Sequence, residues 1–371
     1  MNNMTNMKLI YAISTLSGTI IGVGLFALPY VTLKVGFWVI LGYFLVLGSL
    51  VILTHLFFGE LAIITPDCKR LPGFARIYLG NWGEKIAYIS TIFGAFGALL
   101  AYLIVGGEFF SELLSPIFGG NHLFYTLLYF IIGAGLIFSG IKAIAKVEFW
   151  GIVLFFIILF AIFFRGESFI TIGNLFPSPD FSFAFLPYGI ILFSLWGAAL
   201  IPEIEEMLGE RKKKIMIVIP IAILIPIIVY LFFIYIILGI TGTQTTESAL
   251  TGLRNVLGNG IVSLALIFGL LTTFTSFITL GLTLKKVFWY DLKFTKNLAW
   301  AVTCFLPLIF FLIGAKSFIS IISVVGGVML GIDGILILLM YKKVSPRKQI
   351  IIYPMILVFL AGIVYSIVYF S

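Results

Sequence analysis

Long apolar runs follow one another along nearly the whole chain, separated by short polar or basic connections. The runs are apolar on all sides, whereas a helix lying on a soluble core shows an apolar stripe and a polar face. A bilayer core of about 30 Å takes roughly 20 helical residues. Read against turn and charge signals, the pattern predicts eleven spans: residues 9–33, 37–64, 86–114, 124–139, 147–164, 183–207, 215–240, 261–290, 298–313, 318–341 and 350–370. The expected fold class is an all-α integral membrane protein, with no soluble domain, low-complexity tract or long linker.

Two runs carry glycine and proline where a membrane helix is best left unbroken. The first contains Gly18, Gly22, Gly24 and Pro29; the sixth contains Pro187, Gly189, Gly197 and Pro202. Irregular backbone at membrane depth bares N–H and C=O groups, which is tolerated only where protein or a polar cavity surrounds them. Interrupted segments at corresponding places in two halves mark a transporter site. Small residues also simply let helices approach, but here the breaks recur at the same ordinal place. Runs one and six are five apart, an odd number, so the halves have opposite orientation. This predicts a single core over residues 1–343, with a first five-helix repeat at 1–165 and an inverted second repeat at 180–343. Residues 350–371 form an additional eleventh helix.

Composition agrees: 61% of residues are hydrophobic and 10% charged, and the mean hydropathy is +1.21. A soluble domain carries about a quarter charged residues. The net charge of +8 sits in short clusters between runs, as membrane orientation requires, which argues against a nucleic-acid partner. With the N-terminus inside, every second connection is basic: Lys8; Lys69, Arg70, Arg76 and Lys85; Lys142 and Lys146; Arg211 to Lys214; Lys285 to Lys296; and Lys342 to Lys348. Only Lys34, Arg165, Arg254 and Lys316 fall on the other side. By the positive-inside rule the basic side is cytoplasmic, and eleven spans place Ser371 outside. Cys68 is expected to face the cytoplasm and Cys304 to lie within a run, so no disulfide is expected. The first run, with Ser14, Thr15, Ser17 and Thr19, is no signal peptide. His55 and His122 belong to no metal or nucleophile motif, so neither an enzyme nor a cofactor is expected.

The motif Gly22-Val-Gly24-Leu-Phe-Ala-Leu-Pro29-Tyr30 resembles the first span of the amino acid/auxin permease family, within the amino acid–polyamine–organocation superfamily. Leu71-Pro72-Gly73 through Gly80 is similar to that family's second cytoplasmic segment. Ala101 to Gly107 resembles its third span, and Leu186 through Glu203 its sixth. The resemblance runs through the whole chain and implies a secondary amino acid transporter with eleven spans. The near absence of a hydrophilic N-terminal tail points to a prokaryotic plasma-membrane protein. A receptor of the same superfamily, like the amino acid-binding subunits of spore germinant receptors, is the alternative function.

An amino acid needs partners for a carboxylate and an ammonium. Unwinding the first span bares N–H groups at Gly22, Val23 and Gly24, at the start of a half-helix where donors and dipole favour an anion. The ammonium would meet carbonyls of Thr19 and Ile20 and of Phe193, Ser194 and Leu195. Tyr102 and Trp196 are candidate pocket walls, although aromatics also serve packing. Asp333 lies roughly 13 Å along its helix from Lys342, near the bilayer middle, and is a candidate for gating or proton handling. Glu108 and Glu112 are expected to be solvated. For coupling, the resemblance implies sodium ligands at the Thr275 and Ser276 hydroxyls and the Gly18, Ile21 and Thr272 carbonyls. Sodium is favoured over protons, since residues 151–164 of span five carry no ionisable group. The expected partners are thus an amino acid, Na+ or H+, and membrane lipid.

Overall fold

The computed structural model describes residues 2–65, 70–140, 144–257 and 259–370. Cys68, Lys69, Lys142 and Ser371 lie outside these described residues. Every regular element among them is helical. In order the α-helices are α1 Asn2–Ile20, α2 Gly24–Val35, α3 Phe37–Ile64, α4 Leu71–Leu79, α5 Asn81–Phe118, α6 His122–Ser139, α7 Ile144–Gly166 and α8 Leu186–Leu195. They continue with α9 Ile201–Leu208, α10 Ile215–Thr241, α11 Arg254–Leu257, α12 Asn259–Lys286, α13 Lys296–Leu312, α14 Phe318–Val324, α15 Gly331–Val344 and α16 Gln349–Phe370.

Each expected apolar run falls on one of these helices or on an interrupted pair. Among the described residues, seven helical stretches can cross a bilayer by length and composition, or eight when the bent pair α1 and α2 is taken as one span. One stretch, Leu186–Gln244, holds both the sixth and seventh expected runs, and Lys296–Leu312 is apolar but short. Aliphatic and aromatic side chains such as Trp38, Ile228, Leu357 and Val368 remain exposed, as side chains facing acyl chains do. The protein interior instead holds whole tyrosines and phenylalanines, among them Tyr129, Tyr230, Tyr341, Phe58 and Phe109.

Two features were not expected. α4 is a short amphipathic helix started by Pro72 in its first turn and ended at Gly80, whose φ of 78° suits glycine. It packs on α5 and α15. The tenth run is not one regular helix: α14 and α15 are joined by a π-helical segment, Val325–Leu330. That segment packs on α8, where a methyl at Gly326 would overlap the carbonyl oxygen of Gly189, and one at Gly189 would overlap that of Ser323. Backbone meets backbone here because both surfaces are bare glycine.

Candidate functional site: two interrupted helices

The first span is broken where its glycines stand. α1 ends at Ile20, α2 starts at Gly24, and the two parts are bent by 56°. Ile21 N–H still reaches Ser17 O at 2.9 Å, and the helix restarts with tight turns, Leu25 N–H to Gly22 O at 3.2 Å and Phe26 N–H to Val23 O at 3.1 Å. Between these, no backbone hydrogen bond reaches the N–H groups of Gly22, Val23 and Gly24 among the described residues. Three donors therefore converge at the start of α2.

The sixth span breaks in the same manner. α8 stops at Leu195, Trp196 is extended, and a 3-10 turn at Ala198–Leu200 leads into α9. Pro202 sits in the first turn of α9, where its missing N–H costs nothing. Gly197 N–H, released from the helix, donates to Nε2 of the fully buried His55 at 2.9 Å. The bond requires a free lone pair on Nε2, which leaves the ring proton of a neutral imidazole on Nδ1.

Tertiary packing brings the two breaks together. The hydroxyl of Tyr230, on α10 and fully buried, lies 2.7 Å from Ile20 O and 2.8 Å from Ser194 O. One phenol proton is thus shared between the last carbonyl of α1 and the penultimate carbonyl of α8. A methyl on Gly24 would meet the Cα of Ser194 at 3.1 Å, and one on Gly197 would meet the Leu16 and Ile20 side chains at 3.0 Å. Tyr102 Oη, from α5, faces Gly22, 3.6 Å from where its Cβ would stand. Gly22, Gly24, Ile20, Ser194 and Tyr102 therefore share one locus, and Thr19, Val23, Phe193 and Leu195 adjoin it in the chain. Trp196 is placed differently: its ring packs edge-on to His55 at 5.0 Å and against Phe359 at 6.2 Å, toward α3 and α16.

The cation candidates lie on two other surfaces. On α12, Thr272 Oγ1 donates to Phe268 O and Gly269 O at 3.1 Å, and Thr275 Oγ1 donates to Thr272 O at 3.1 Å. Ser276 adjoins them, half-buried. α12 packs mainly on α5 and α7, while α1, which carries Gly18, packs mainly on α10 and α9, with Ile21 directly after it. Asp333 is buried at the start of α15 and accepts a 2.5 Å hydrogen bond from Ser90 Oγ of α5.

Glu108 and Glu112 are not simply solvated. Ser248 Oγ donates to Glu108 Oε1 at 2.7 Å, and Arg254 forms a 2.6 Å ion pair with Glu112. Both carboxylates tie α5 to the connection between α10 and α12, because that connection folds back and buries Ala249 and Leu250. Tyr230 and His55 were missed in the sequence. The only signal was a polar group inside a mainly apolar run.

The overall arrangement matches solved transporters. One is MHP1, a nucleobase-cation-symport-1 family transporter, in a closed conformation with bromovinylhydantoin bound: the TM-score is 0.63 at 14% identity, covering 96% of this chain and 90% of that one. Another is MhsT in complex with L-phenylalanine, with a TM-score of 0.58 at 15% identity, covering 97% of this chain and 98% of that one. At such identities the likeness concerns the fold. A search of curated protein sequences returns no significant match. The model of the tryptophan/tyrosine permease family matches residues 5–368. With its apolar spans and paired helix breaks, the chain is a multi-span membrane transporter, not an enzyme, and belongs to the tryptophan/tyrosine permease family.

Proposed function

We propose that the protein is a secondary active permease for an aromatic amino acid, working by alternating access in a cell membrane. One observation carries this reading: Tyr230 joins the carbonyl ends of α1 and α8 beside the N–H groups of Gly22, Val23 and Gly24 that open α2, and the Gly22 N–H itself faces the Tyr230 hydroxyl. The N–H groups of Gly22, Val23 and Gly24 would take the substrate carboxylate. The ammonium would meet the carbonyls of Thr19, Ile20, Phe193, Ser194 and Leu195. An aromatic side chain is favoured by the family's description and by the phenylalanine that MhsT holds. The reading includes eleven spans, two inverted repeats within residues 1–343, an added helix at 350–371, a cytoplasmic N-terminus and a wider kinship with amino acid/auxin permeases.

Sodium is the proposed coupling ion, at Gly18, Ile21, Thr272, Thr275 and Ser276. Hydroxyls in membrane helices commonly bond the preceding turn, as Thr272 and Thr275 do, so the ion would have to draw them from those carbonyls. Asp333 supports a second reading, in which its carboxyl carries a proton between α5 and α15. Purified protein in liposomes should accumulate labelled tryptophan, tyrosine or phenylalanine under an inward sodium gradient. Thr275→Ala with Ser276→Ala should raise the sodium needed for half-maximal uptake. Uptake that persists without sodium, collapses with an uncoupler and is lost in Asp333→Asn would replace sodium by protons. Binding without any uptake would replace the permease by a receptor.

A further inference from the structure

A large apolar groove lies away from the helix breaks. It has a volume of about 1000 Å³ and runs between α3, α8 and α16. Its walls include Val46, Leu47, Tyr188, Leu357, Val364 and Val368. Val46, Val364 and Val368 are more than half exposed, so the groove opens sideways, toward the bilayer.

Its polar groups are unevenly distributed. The hydroxyl of Tyr43 donates to Ala184 O at 2.9 Å, and that of Tyr188 to Val358 O at 3.3 Å. The hydroxyl of Tyr365, in the same wall, is buried and has no hydrogen-bond partner. Its ring lies 5.1 Å from that of Phe185, the residue that precedes α8. The same end carries a cation. Lys34 Nζ stands 5.5 Å over the ring of Phe183, two residues before Phe185, and Lys34 O accepts from Asp180 N–H at 3.0 Å. One end of the groove therefore offers an unpaired hydroxyl, with the Lys34 ammonium and the Asp180 carboxylate that interacts with it lying beyond the lining residues, and the rest offers only hydrocarbon.

We propose that this groove binds one phospholipid, an acyl chain lying along α3, α8 and α16 and the phosphate end facing Lys34 and Tyr365. The acyl chain matches the apolar wall, the phosphate complements the Lys34 charge, and an ester or phosphate oxygen supplies the acceptor that the Tyr365 hydroxyl lacks. The lipid would brace α8, the first half of the interrupted sixth span. α16 meets Tyr188 of α8 at Val358, whose carbonyl takes the hydroxyl, and at Gly362, where a methyl would overlap the ring. The groove beside these contacts leaves α8 and α16 apart until an acyl chain fills it.

The test is the mass of the intact protein after exchange into a mild detergent, followed by titration with a defined dioleoyl phospholipid. The wild type should retain one phospholipid. Gly42 lines the groove, and a Cβ there meets nothing within 4 Å. Gly42→Phe should therefore fill the space without disturbing the helix and eliminate retention. Tyr365→Phe, which keeps the ring, and Lys34→Gln, which removes the charge, should each bind the lipid roughly threefold to tenfold more weakly. Equal retention by the wild type and Gly42→Phe, or no retention by the wild type, would overturn the proposal. So would lipid-free dimers that Gly42→Phe dissociates, since the occupant would then be a second copy of the chain.

Discussion

Gly24 presses against Ser194 where the two interrupted helices meet: a methyl built on Gly24 would stand 3.1 Å from the Ser194 Cα and inside its hydroxymethyl group. Gly22, two residues earlier, has room, its nearest neighbour being the Tyr102 hydroxyl at 3.6 Å. Two glycines of one motif thus do different work. One permits close approach of two half-helices, and the other leaves space between the backbone and the Tyr102 hydroxyl.

These contacts separate two substitutions that look alike in the sequence. Gly24→Ala should overpack the junction at a cost of about 1–3 kcal/mol, seen as a lower melting temperature together with weak substrate binding. Gly22→Ala should melt like the wild type, because its methyl makes only ordinary contacts. It should nevertheless weaken binding by tenfold or so, since the methyl stands in front of the N–H groups. Wild-type affinity in a stable Gly22→Ala protein would remove Gly22 from the site.

Tyr230→Phe deletes the one hydroxyl shared by Ile20 O and Ser194 O while keeping the ring. Each buried carbonyl then loses its partner, a change worth about 1–3 kcal/mol. We expect the transport rate to fall about tenfold or more and the melting temperature to drop, with insertion retained. Unchanged uptake kinetics would mean that the bridge only fills space.

His55→Phe leaves Gly197 N–H without an acceptor in the middle of the broken sixth span. The expected penalty is again about 1–3 kcal/mol, read as loss of substrate affinity in a binding assay. His55→Gln retains an acceptor oxygen and should recover part of it. Equal loss in both variants would assign the defect to the ring's contact with Trp196 instead.

Orientation follows from the basic connections. A single cysteine placed beside Lys316, in a background lacking Cys68 and Cys304, should react with a membrane-impermeant thiol reagent on intact cells. One beside Lys213 should react only after permeabilisation. The reverse pattern would invert every assignment of cytoplasmic and external loops.

Helix positions and both interruptions were legible in the chain, for a local reason. Apolar run length is set by bilayer thickness, and glycine and proline act on the backbone of their own turn. Gly22, Gly24, Gly197 and Pro202 accordingly mark the breaks whatever surrounds them. The contacts that make a site of those breaks are not local. Tyr230 reaches Ile20 across 210 residues and His55 reaches Gly197 across 142. A phenol or imidazole within an apolar run reads the same whether it packs or bonds. Trp196, beside the sixth-span break in sequence, turns to His55 and Phe359, because an extended residue aims its side chain by the packing around it. The π segment at Val325–Leu330 was equally hidden, since its extra residue is accommodated by backbone contact with Gly189 rather than by any breaker of its own. The chain by itself determined where backbone would be freed within the membrane. Only the tertiary structure decided which distant groups meet it, because burial leaves each freed donor and acceptor to be satisfied by whatever the fold brings within 3 Å or so.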